Sequence, residues 1–360
     1  IRDEHTSRGS EMCIRDRVRH NMRILITGGA GFIGKNLILK LLSYPNNIVF
    51  NIDKLNYASH HRPIEDFCSK TKNKRYTFLN IDLANESKTF EALRSANPEI
   101  IFHLAAESHV DRSINKPFDF IKSNIIGTYN LLSASLNFYN NLKIEKKERF
   151  KFLHISTDEV FGSLGSDGCF SEYSKYDPRS PYSASKASSD HLVKAWHHTY
   201  SLPVLISNCS NNYGPWQYPE KFIPKIIFNA IKGKEIPIYG NGSNIRDWLF
   251  VEDHVDALIL LSKVGKIGET YCIGGNGERT NNKVADEICK ILDKKFPLNS
   301  PHKKLINYVE DRPGHDQRYS IDFSKMNTKY GWEPKYKFSE GLLKTVDWYL
   351  GNINWIEEII

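Results

Sequence analysis

This chain lacks several features that define whole classes of proteins. None of its apolar runs approaches the roughly 18 residues that a membrane-spanning helix needs, so we expect no membrane association. Its 6 cysteines include no C-x-x-C pair, and we interpret them as reduced thiols of a cytosolic protein. Internal repeats are absent. We expect no metal site, because the following histidines lack the spacing of metal ligands: His103, His109, His254 and His315.

The beginning of the chain also lacks a recognisable signal. Residues 1–21 mix acidic and basic side chains and have no apolar centre of the kind found in a signal peptide. Met22 opens the first strand-like run, and we interpret what precedes it as a disordered or non-native extension. The cytoplasm is therefore the expected location. The net charge of +7 is spread along the chain, which favours small anionic ligands over nucleic acid.

Short apolar runs alternate with longer amphipathic segments up to residue 212. This pattern predicts strands at 23–27, 48–53, 76–82, 100–106, 150–156 and 203–208, and helices at 32–43, 86–96, 118–139 and 181–200. Such alternation predicts an α/β fold of the Rossmann type, a doubly wound parallel sheet, formed by residues 22–212. Pro, Gly and aromatic residues become dense after Tyr213. Residues 213–360 are predicted to form mainly a smaller mixed α/β substrate-binding region, with some segments returning to the Rossmann domain.

Three glycines at intervals of three follow the first predicted strand. In such a strand–turn–helix, Gly28 permits a tight turn, Gly31 lets the backbone approach a pyrophosphate, and Gly34 lets the helix pack on the strand. The helix N-terminus then offers N–H groups to the phosphates. Asp53 ends the second strand, where a carboxylate hydrogen-bonds adenosine ribose hydroxyls and repels a 2′-phosphate. Residues 22–212 are therefore predicted to bind NAD rather than NADP.

A tyrosine and a lysine lie four residues apart on the predicted helix 181–200. Tyr182 and Lys186 consequently share one face of that helix. A free tyrosine ionises at about pH 10, but a nearby ammonium and the positive charge of a nicotinamide lower its pKa. Tyr182 is therefore a candidate base for a substrate hydroxyl. Together with the glycine spacing, "YSASK" resembles the extended short-chain dehydrogenase/reductase superfamily.

Two acids follow the predicted strand 150–156. Asp158 and Glu159 come directly after Ser156 and Thr157, and the carboxyl ends of strands in this fold face the ligand crevice. Adjacent carboxylates serve as an acid and a base when their surroundings separate their pKa values. A simple dehydrogenase does not need this pair, so we predict an elimination coupled to hydride transfer. A polar loop, or a helix start that favours acids, is the alternative.

Six blocks together resemble the dTDP-glucose 4,6-dehydratase family: "AAESHVDRS", "STDEVFGSLG", "SPYSASKASSDHLV", "NCSNNYGPWQYPEKFIP", "RDWLFVEDH" and "DRPGHDQRY". The resemblance implies conversion of dTDP-glucose to dTDP-4-keto-6-deoxyglucose and water by internal NAD redox. Oxidation occurs at carbon 4, elimination across carbons 5 and 6, and reduction at carbon 6. Tyr182 would take the 4-hydroxyl proton, supported by Thr157 and Lys186. Glu159 would remove the carbon-5 proton, and Asp158 would protonate the departing hydroxyl.

The same resemblance implies two sets of binding residues and a homodimer built on helices 118–139 and 181–200. The expected cofactor contacts, besides Tyr182 and Lys186, are Gly28, Gly31, Phe32, Ile33, Gly34, Asp53, Lys54, Leu55, Asn56, Asp82, Leu83, Leu104, Ala105, Ala106, Ser123 and Asn212. The expected sugar-nucleotide contacts are Ser108, Thr157, Asn211, Lys221, Phe222, Pro237, Ile238, Tyr239, Arg246, Asn281, Asp311, Arg312 and His315.

Two other functions remain open on the sequence. A sugar-nucleotide 4-epimerase or decarboxylase of the same superfamily uses the tyrosine and lysine but does not need the acid pair. A non-enzymatic NAD-sensing regulator keeps the glycine turn and loses the chemistry, which the intact Tyr182, Lys186, Asp158 and Glu159 argue against. Thymidine and uridine substrates differ by one methyl group at the base, and motifs do not separate them.

Overall fold

The computed structural model describes residues 22–359, so the predicted extension at residues 1–21 lies outside the described residues. The strands are β1 (Met22–Thr27), β2 (Asn47–Asp53), β3 (Tyr76–Asn80), β4 (Ile100–His103), β5 (Lys151–Thr157), β6 (Val204–Cys209), β7 (Asn211–Tyr213), β8 (Ile236–Tyr239), β9 (Ile245–Arg246), β10 (Trp248–Phe250), β11 (Thr270–Ile273), β12 (Arg279–Thr280) and β13 (Ile306–Val309). The α-helices are α1 (Phe32–Ser43), α2 (Arg62–Lys70), α3 (Glu86–Ala96), α4 (Val110–Asn115), α5 (Pro117–Phe120), α6 (Gly127–Asn140), α7 (Ile144–Lys147), α8 (Pro181–Tyr200), α9 (Phe222–Ile231), α10 (Val251–Val264), α11 (Asn281–Lys295), α12 (Ser324–Tyr330), α13 (Phe338–Gly351) and α14 (Ile353–Ile359).

A 7-stranded sheet forms the centre of the fold, in the order β11-β6-β5-β4-β1-β2-β3. Every neighbouring pair in it is parallel. This arrangement confirms the predicted doubly wound Rossmann-type sheet. The strand order reverses between β1 and β4, and a crevice for ligands opens at the carboxyl ends of strands at such a point.

Each face of the sheet is covered by its own apolar cluster. Ile24 and Ile26 pack with α1 and α10 on one face, whereas Leu25 packs with α3, α6 and α8 on the other. The alternation follows from the two-residue repeat of a strand. A third cluster surrounds α9, α11 and α13 in the C-terminal part of the chain. Residues 251–273 contribute α10 and β11 to the sheet layer, so this later segment returns to it.

Most predicted elements lie where the sequence pattern placed them. The helices predicted at 32–43, 86–96 and 181–200 have these bounds in the structure. The helix α2 was not predicted, because its polar sequence buries only Ile64.

The predicted helix 118–139 is interrupted by a π-helical segment, Ile121–Ile126. Within it the Asn124 carbonyl accepts hydrogen bonds from the hydroxyls of Thr128, at 2.5 Å, and of Ser189, at 2.6 Å. One carbonyl of the π-helical segment therefore accepts hydrogen bonds from hydroxyls of two helices, α6 and α8.

Candidate active site

The glycine turn between β1 and α1 leaves no room for side chains. Gly28 has φ +73°, and a Cβ there would lie 2.7 Å from the backbone of Ala105. A Cβ on Gly34 would lie 2.4 Å from the carbonyl oxygen of Gly28, so α1 packs directly on the turn. Gly31 precedes α1 and has no side chain to cap its first N–H groups. These groups are available to an anion at the helix N-terminus.

Asp53 is held against this turn by two backbone amides. Its Oδ2 accepts from the Ala30 amide at 3.0 Å, and its Oδ1 accepts from the Leu55 amide at 2.9 Å. Burial raises the pKa of Asp53, and these hydrogen bonds oppose the shift. A further contact, which the sequence did not reveal, joins the Gly29 amide to the Asn51 side-chain oxygen at 3.0 Å. The second strand therefore positions the turn as well as the acid.

Lysine and asparagine side chains following Asp53 converge on one carboxylate. Lys54 forms an ion pair with Glu107 at 2.8 Å and donates to the Ser123 hydroxyl at 2.7 Å. The Asn56 amide donates to both Glu107 oxygens at 3.1 Å. These contacts join the ends of β2 and β4 to the π-helical segment, and so build one wall of a cavity.

The N-terminus of α8 places the tyrosine and lysine at the end of β5. Ser180 caps this helix by accepting from the Ser183 amide at 3.0 Å, and Pro181 occupies its first position. Tyr182 is 8% exposed and Lys186 is 4% exposed. The Lys186 ammonium donates to the Ile155 carbonyl at 2.8 Å, which ties the helix to the strand.

Burial and the negative charge of Glu159 raise the pKa of Tyr182 well above its ordinary value, and a hydrogen bond with Thr157 opposes this. The protein by itself therefore does not give the lowered tyrosine pKa that the sequence predicts. Burial also lowers the pKa of Lys186, which makes the charged form of that side chain less stable. The sequence predicts two positive charges that lower the Tyr182 pKa, those of the lysine ammonium and of the nicotinamide ring. The second of these is not part of the protein.

The two acids after β5 have different surroundings. Asp158 is 1% exposed, and burial together with Glu159 raises its pKa well above the ordinary value. Its Oδ1 accepts from the Thr157 hydroxyl at 3.2 Å, whereas its Oδ2 is buried without a hydrogen-bond partner. Glu159 is partly exposed, and burial raises its pKa while Arg312 and Arg246 oppose the shift. The structure therefore favours the protonated form of Asp158 more strongly than that of Glu159.

Two arginines lie near the acids, in different settings. Arg246 is 6% exposed, lies over the Tyr319 ring at 4.3 Å, and donates to the Asp316 carbonyl at 2.9 Å. Arg312 pairs with Asp111 at 3.4 Å, and its Nε is buried without a partner. Both guanidinium groups are thus fixed by the protein, and Arg312 keeps a donor free.

A single cavity of about 600 Å³ collects the predicted residues. All of them line it except Leu55, Ile238 and Asp311. Ile238 is fully buried in β8, while its neighbours Pro237 and Tyr239 reach the cavity, because alternate residues of a strand point to opposite faces. Asp311 instead holds the His315 ring at 2.6 Å. Leu55 contributes its amide to Asp53.

Several cavity residues were not singled out from the sequence. Glu220 accepts from the Tyr57 hydroxyl at 2.6 Å and from Arg112 at 3.2 Å. Tyr319 donates to Asp316 at 2.5 Å beneath Arg246. Glu220 and Tyr319 lie inside the quoted blocks "NCSNNYGPWQYPEKFIP" and "DRPGHDQRY", but no spacing rule marks them. Their partners come from distant segments, so only the fold reveals their contacts.

Comparison with known proteins identifies the family of this chain. The family profile described as GDP-mannose 4,6 dehydratase matches residues 25–345. A dTDP-glucose 4,6-dehydratase from Shigella flexneri is 48% identical over 347 residues, covering 94% of this chain and 95% of that protein. The chain belongs to the dTDP-glucose 4,6-dehydratase family. A solved member of this family, from Streptomyces venezuelae with NAD and dTDP bound, has a TM-score of 0.86 and 37% identity, covering 94% of this chain and all of that one.

The fold of this dehydratase family extends to enzymes with other products. A UDP-glucuronic acid 4-epimerase from Bacillus cereus, solved with UDP-glucuronic acid and NAD, has a TM-score of 0.81 and 29% identity, covering 92% of this chain and 100% of that chain. Fold alone therefore does not separate dehydratase from epimerase.

In the part of the chain that the structure describes, no helix is long and apolar enough to cross a membrane. The same residues contain no group of three or more His, Cys, Asp or Glu that could hold a metal ion.

Proposed function

We propose that this chain converts dTDP-glucose to dTDP-4-keto-6-deoxyglucose and water, with NAD as a cofactor retained through the cycle. The observation that carries this proposal is the position of Asp158 and Glu159. Both acids line the same cavity as Tyr182 and Lys186, at the carboxyl end of β5. An epimerase needs the tyrosine and lysine alone, whereas loss of water requires an acid and a base.

The residues that would hold NAD fit this cofactor. A Cβ would fill the turn at Gly28 and Gly34, and the uncapped start of α1 suits a pyrophosphate. Asp53 lines the cavity beside the turn and suits the adenosine ribose. When bound, NAD would supply a hydride acceptor at carbon 4, a hydride donor at carbon 6 and the positive charge of its nicotinamide.

We assign Tyr182 as the base for the 4-hydroxyl proton. Thr157 is its hydrogen-bonding neighbour and shares the same wall of the cavity. Lys186 is fixed by the Ile155 carbonyl, and we assign it to the nicotinamide ribose and to lowering the tyrosine pKa. Burial raises the pKa of Tyr182 in the protein alone, so proton removal depends on positive charge brought near the phenol.

We assign Asp158 as the acid and Glu159 as the base of the elimination. The raised pKa of buried Asp158 suits a group that donates a proton to the departing 6-hydroxyl. Glu159 is partly exposed and has Arg312, Arg246 and Lys221 as nearby cations, which favour its carboxylate form. A carboxylate here suits removal of the carbon-5 proton once the adjacent ketone has acidified it.

We assign the sugar-nucleotide diphosphate to the side of the cavity that carries the arginines. Arg312 has an unpartnered Nε, and Arg246 is held rigidly over Tyr319. A guanidinium group binds phosphate oxygens through paired donors. Tyr239 is 36% exposed at the same end and is available to flank the base.

We also propose a homodimer. Large apolar side chains are exposed on α5, the π-helical segment, α6 and α8: Phe118 (70%), Ile121 (45%), Ile126 (44%), Tyr129 (43%) and Tyr200 (49%). A second copy of these helices would bury them.

Because NAD and nucleotide sugars are metabolites of the cell interior, we propose the cytoplasm as the location.

Product analysis tests the proposed function. The purified chain is incubated separately with dTDP-glucose and UDP-glucose, and the 4-keto product is followed by its absorbance in alkali. We expect this product from dTDP-glucose. Recovery of only dTDP-galactose would instead identify an epimerase. Tight NAD binding without turnover of either substrate would identify a non-enzymatic NAD-binding protein.

A further inference from the structure

The helix α8 carries a buried carboxylate one turn beyond Lys186. Asp190 is fully buried, and its carboxylate receives four hydrogen bonds. The donors are His154 Nε2 at 3.0 Å, Ser156 Oγ at 2.9 Å, the Tyr176 hydroxyl at 2.8 Å and Asn208 Nδ2 at 3.3 Å. Burial by itself would raise the pKa of Asp190, but these donors and the charge of Lys186 lower it. Asp190 is therefore an ionised acid inside the protein.

The lysine and this acid are bound to three consecutive residues of β5. Lys186 donates to the Ile155 carbonyl, while His154 and Ser156 on either side of it donate to Asp190. Residues 186 and 190 lie four apart on α8 and therefore on the same helix face. Strand and helix together bury a cation and an anion one helical turn apart, away from solvent.

The other titratable side chains packed around this pair are His103 on β4, His154 on β5, Cys209 on β6, Tyr176 from the segment before α8, and Lys194 on α8. Burial lowers the pKa of His154 to about 4, and burial with His154 lowers that of His103. Burial raises the pKa of Cys209 to about 12. At neutral pH the two histidines and Cys209 are therefore uncharged. The Lys194 ammonium lies on the far side of the Tyr176 hydroxyl, to which it donates at 3.4 Å.

We infer that Asp190 is the counter-ion that keeps the Lys186 ammonium charged, and so is a positioning residue for proton transfer at Tyr182. This inference rests on the proposed roles of Tyr182 and Lys186. Burial alone pushes Lys186 toward its neutral form, and Asp190 opposes this. If Lys186 lost its proton, the tyrosine would lose a positive neighbour and would deprotonate only at higher pH.

The first experiment measures hydride transfer against pH in the full-length variant Asp190→Asn. Asparagine keeps the shape of the side chain but removes its charge. The transient rise of NADH, which precedes return of the hydride to the sugar, is followed at 340 nm during the first turnover after rapid mixing of the NAD-loaded protein with dTDP-glucose. The acid limb is the part of the pH profile in which the rate falls as the solution becomes more acidic. We expect this limb to move to higher pH by about one unit, which lowers the rate at neutral pH about tenfold.

Tyr176→Phe is the matched control, because it removes one hydrogen bond to the same carboxylate and keeps the charge. We expect its acid limb to coincide with that of the unmodified chain. Asp190→Glu restores a charge and should move the limb back toward the unmodified position. A uniform loss of rate in Asp190→Asn, with both limbs in place, would overturn the inference.

The second experiment compares thermal unfolding with and without the lysine charge, and it does not require activity. In a Lys186→Met background Asp190 is a buried anion without its cation, so adding Asp190→Asn should raise the melting temperature. In the unmodified chain the same substitution should lower it. An equal effect in both backgrounds, or failure of both Asn variants to fold, would show a purely structural role. Absence of the 4-keto product from dTDP-glucose with the unmodified chain would instead refute the proposed function, and the unfolding comparison would still test the charge interaction of Lys186 with Asp190.

Discussion

Replacement of Gly34 by alanine tests the packing on which the nucleotide turn depends. The added methyl group would lie 2.4 Å from the Gly28 carbonyl oxygen and 2.7 Å from the Gly29 Cα, both backbone atoms. Neither atom belongs to a flexible side chain, so α1 or the turn has to move. Overpacking of this kind costs about 1–3 kcal/mol of folding free energy. We therefore expect a lower melting temperature together with weaker NAD binding.

Two other glycines separate the effect on folding from the effect on the cofactor. A Cβ on Gly31 would meet the Gly28 oxygen at 3.2 Å and would lie on the cavity wall. Gly31→Ala should therefore weaken NAD binding with little loss of stability. A Cβ on Gly165 meets nothing within 4 Å, so Gly165→Ala should change neither quantity.

The assay combines thermal unfolding by circular dichroism with titration of NAD by calorimetry. We expect the dissociation constant of NAD to rise at least tenfold in Gly34→Ala, which corresponds to about 1.4 kcal/mol of binding free energy. A Gly34→Ala protein with the melting temperature and NAD affinity of Gly165→Ala would refute the reasoning. It would show that the turn and α1 are not packed as the structure places them.

Three further substitutions test the site. Glu159→Gln should still oxidise carbon 4 but stall before water loss, so enzyme-bound NADH should accumulate at 340 nm; normal overall turnover would contradict its role as the base. Arg312→Gln removes a cation that lowers the pKa of Glu159, so this pKa should rise further. The base must be deprotonated to act, so on acidification the variant should lose activity at a higher pH than the unmodified chain. Loss of activity at the same pH in both proteins would contradict this. Ile238→Ala should cost about 2–5 kcal/mol of stability, measured by urea unfolding, and should leave the KM for dTDP-glucose unchanged, because the side chain is fully buried away from the cavity.

The sequence alone determined the architecture and most of the candidate site. Apolar periodicity predicted the helix bounds, and in the structure local signals such as Ser180 and Pro181 fix one of them within a few residues. The glycine turn and the tyrosine–lysine pair are also local, since their function depends on spacing within one element. The carboxyl ends of parallel strands meet at one edge of the sheet, which is why Asp53, Asp158 and Glu159 line one cavity.

Only the tertiary structure decided the contacts between distant segments and the charge states they set. Spacing gives no indication that Asp190 meets donors from β5 and β6, or that Glu220 joins Tyr57 to Arg112. The predicted lowering of the Tyr182 pKa is absent in the protein alone, because desolvation and the charge of Glu159 raise this pKa. Burial and charge act through space and depend on every element packed around a group, whereas a sequence motif records only its neighbours along the chain.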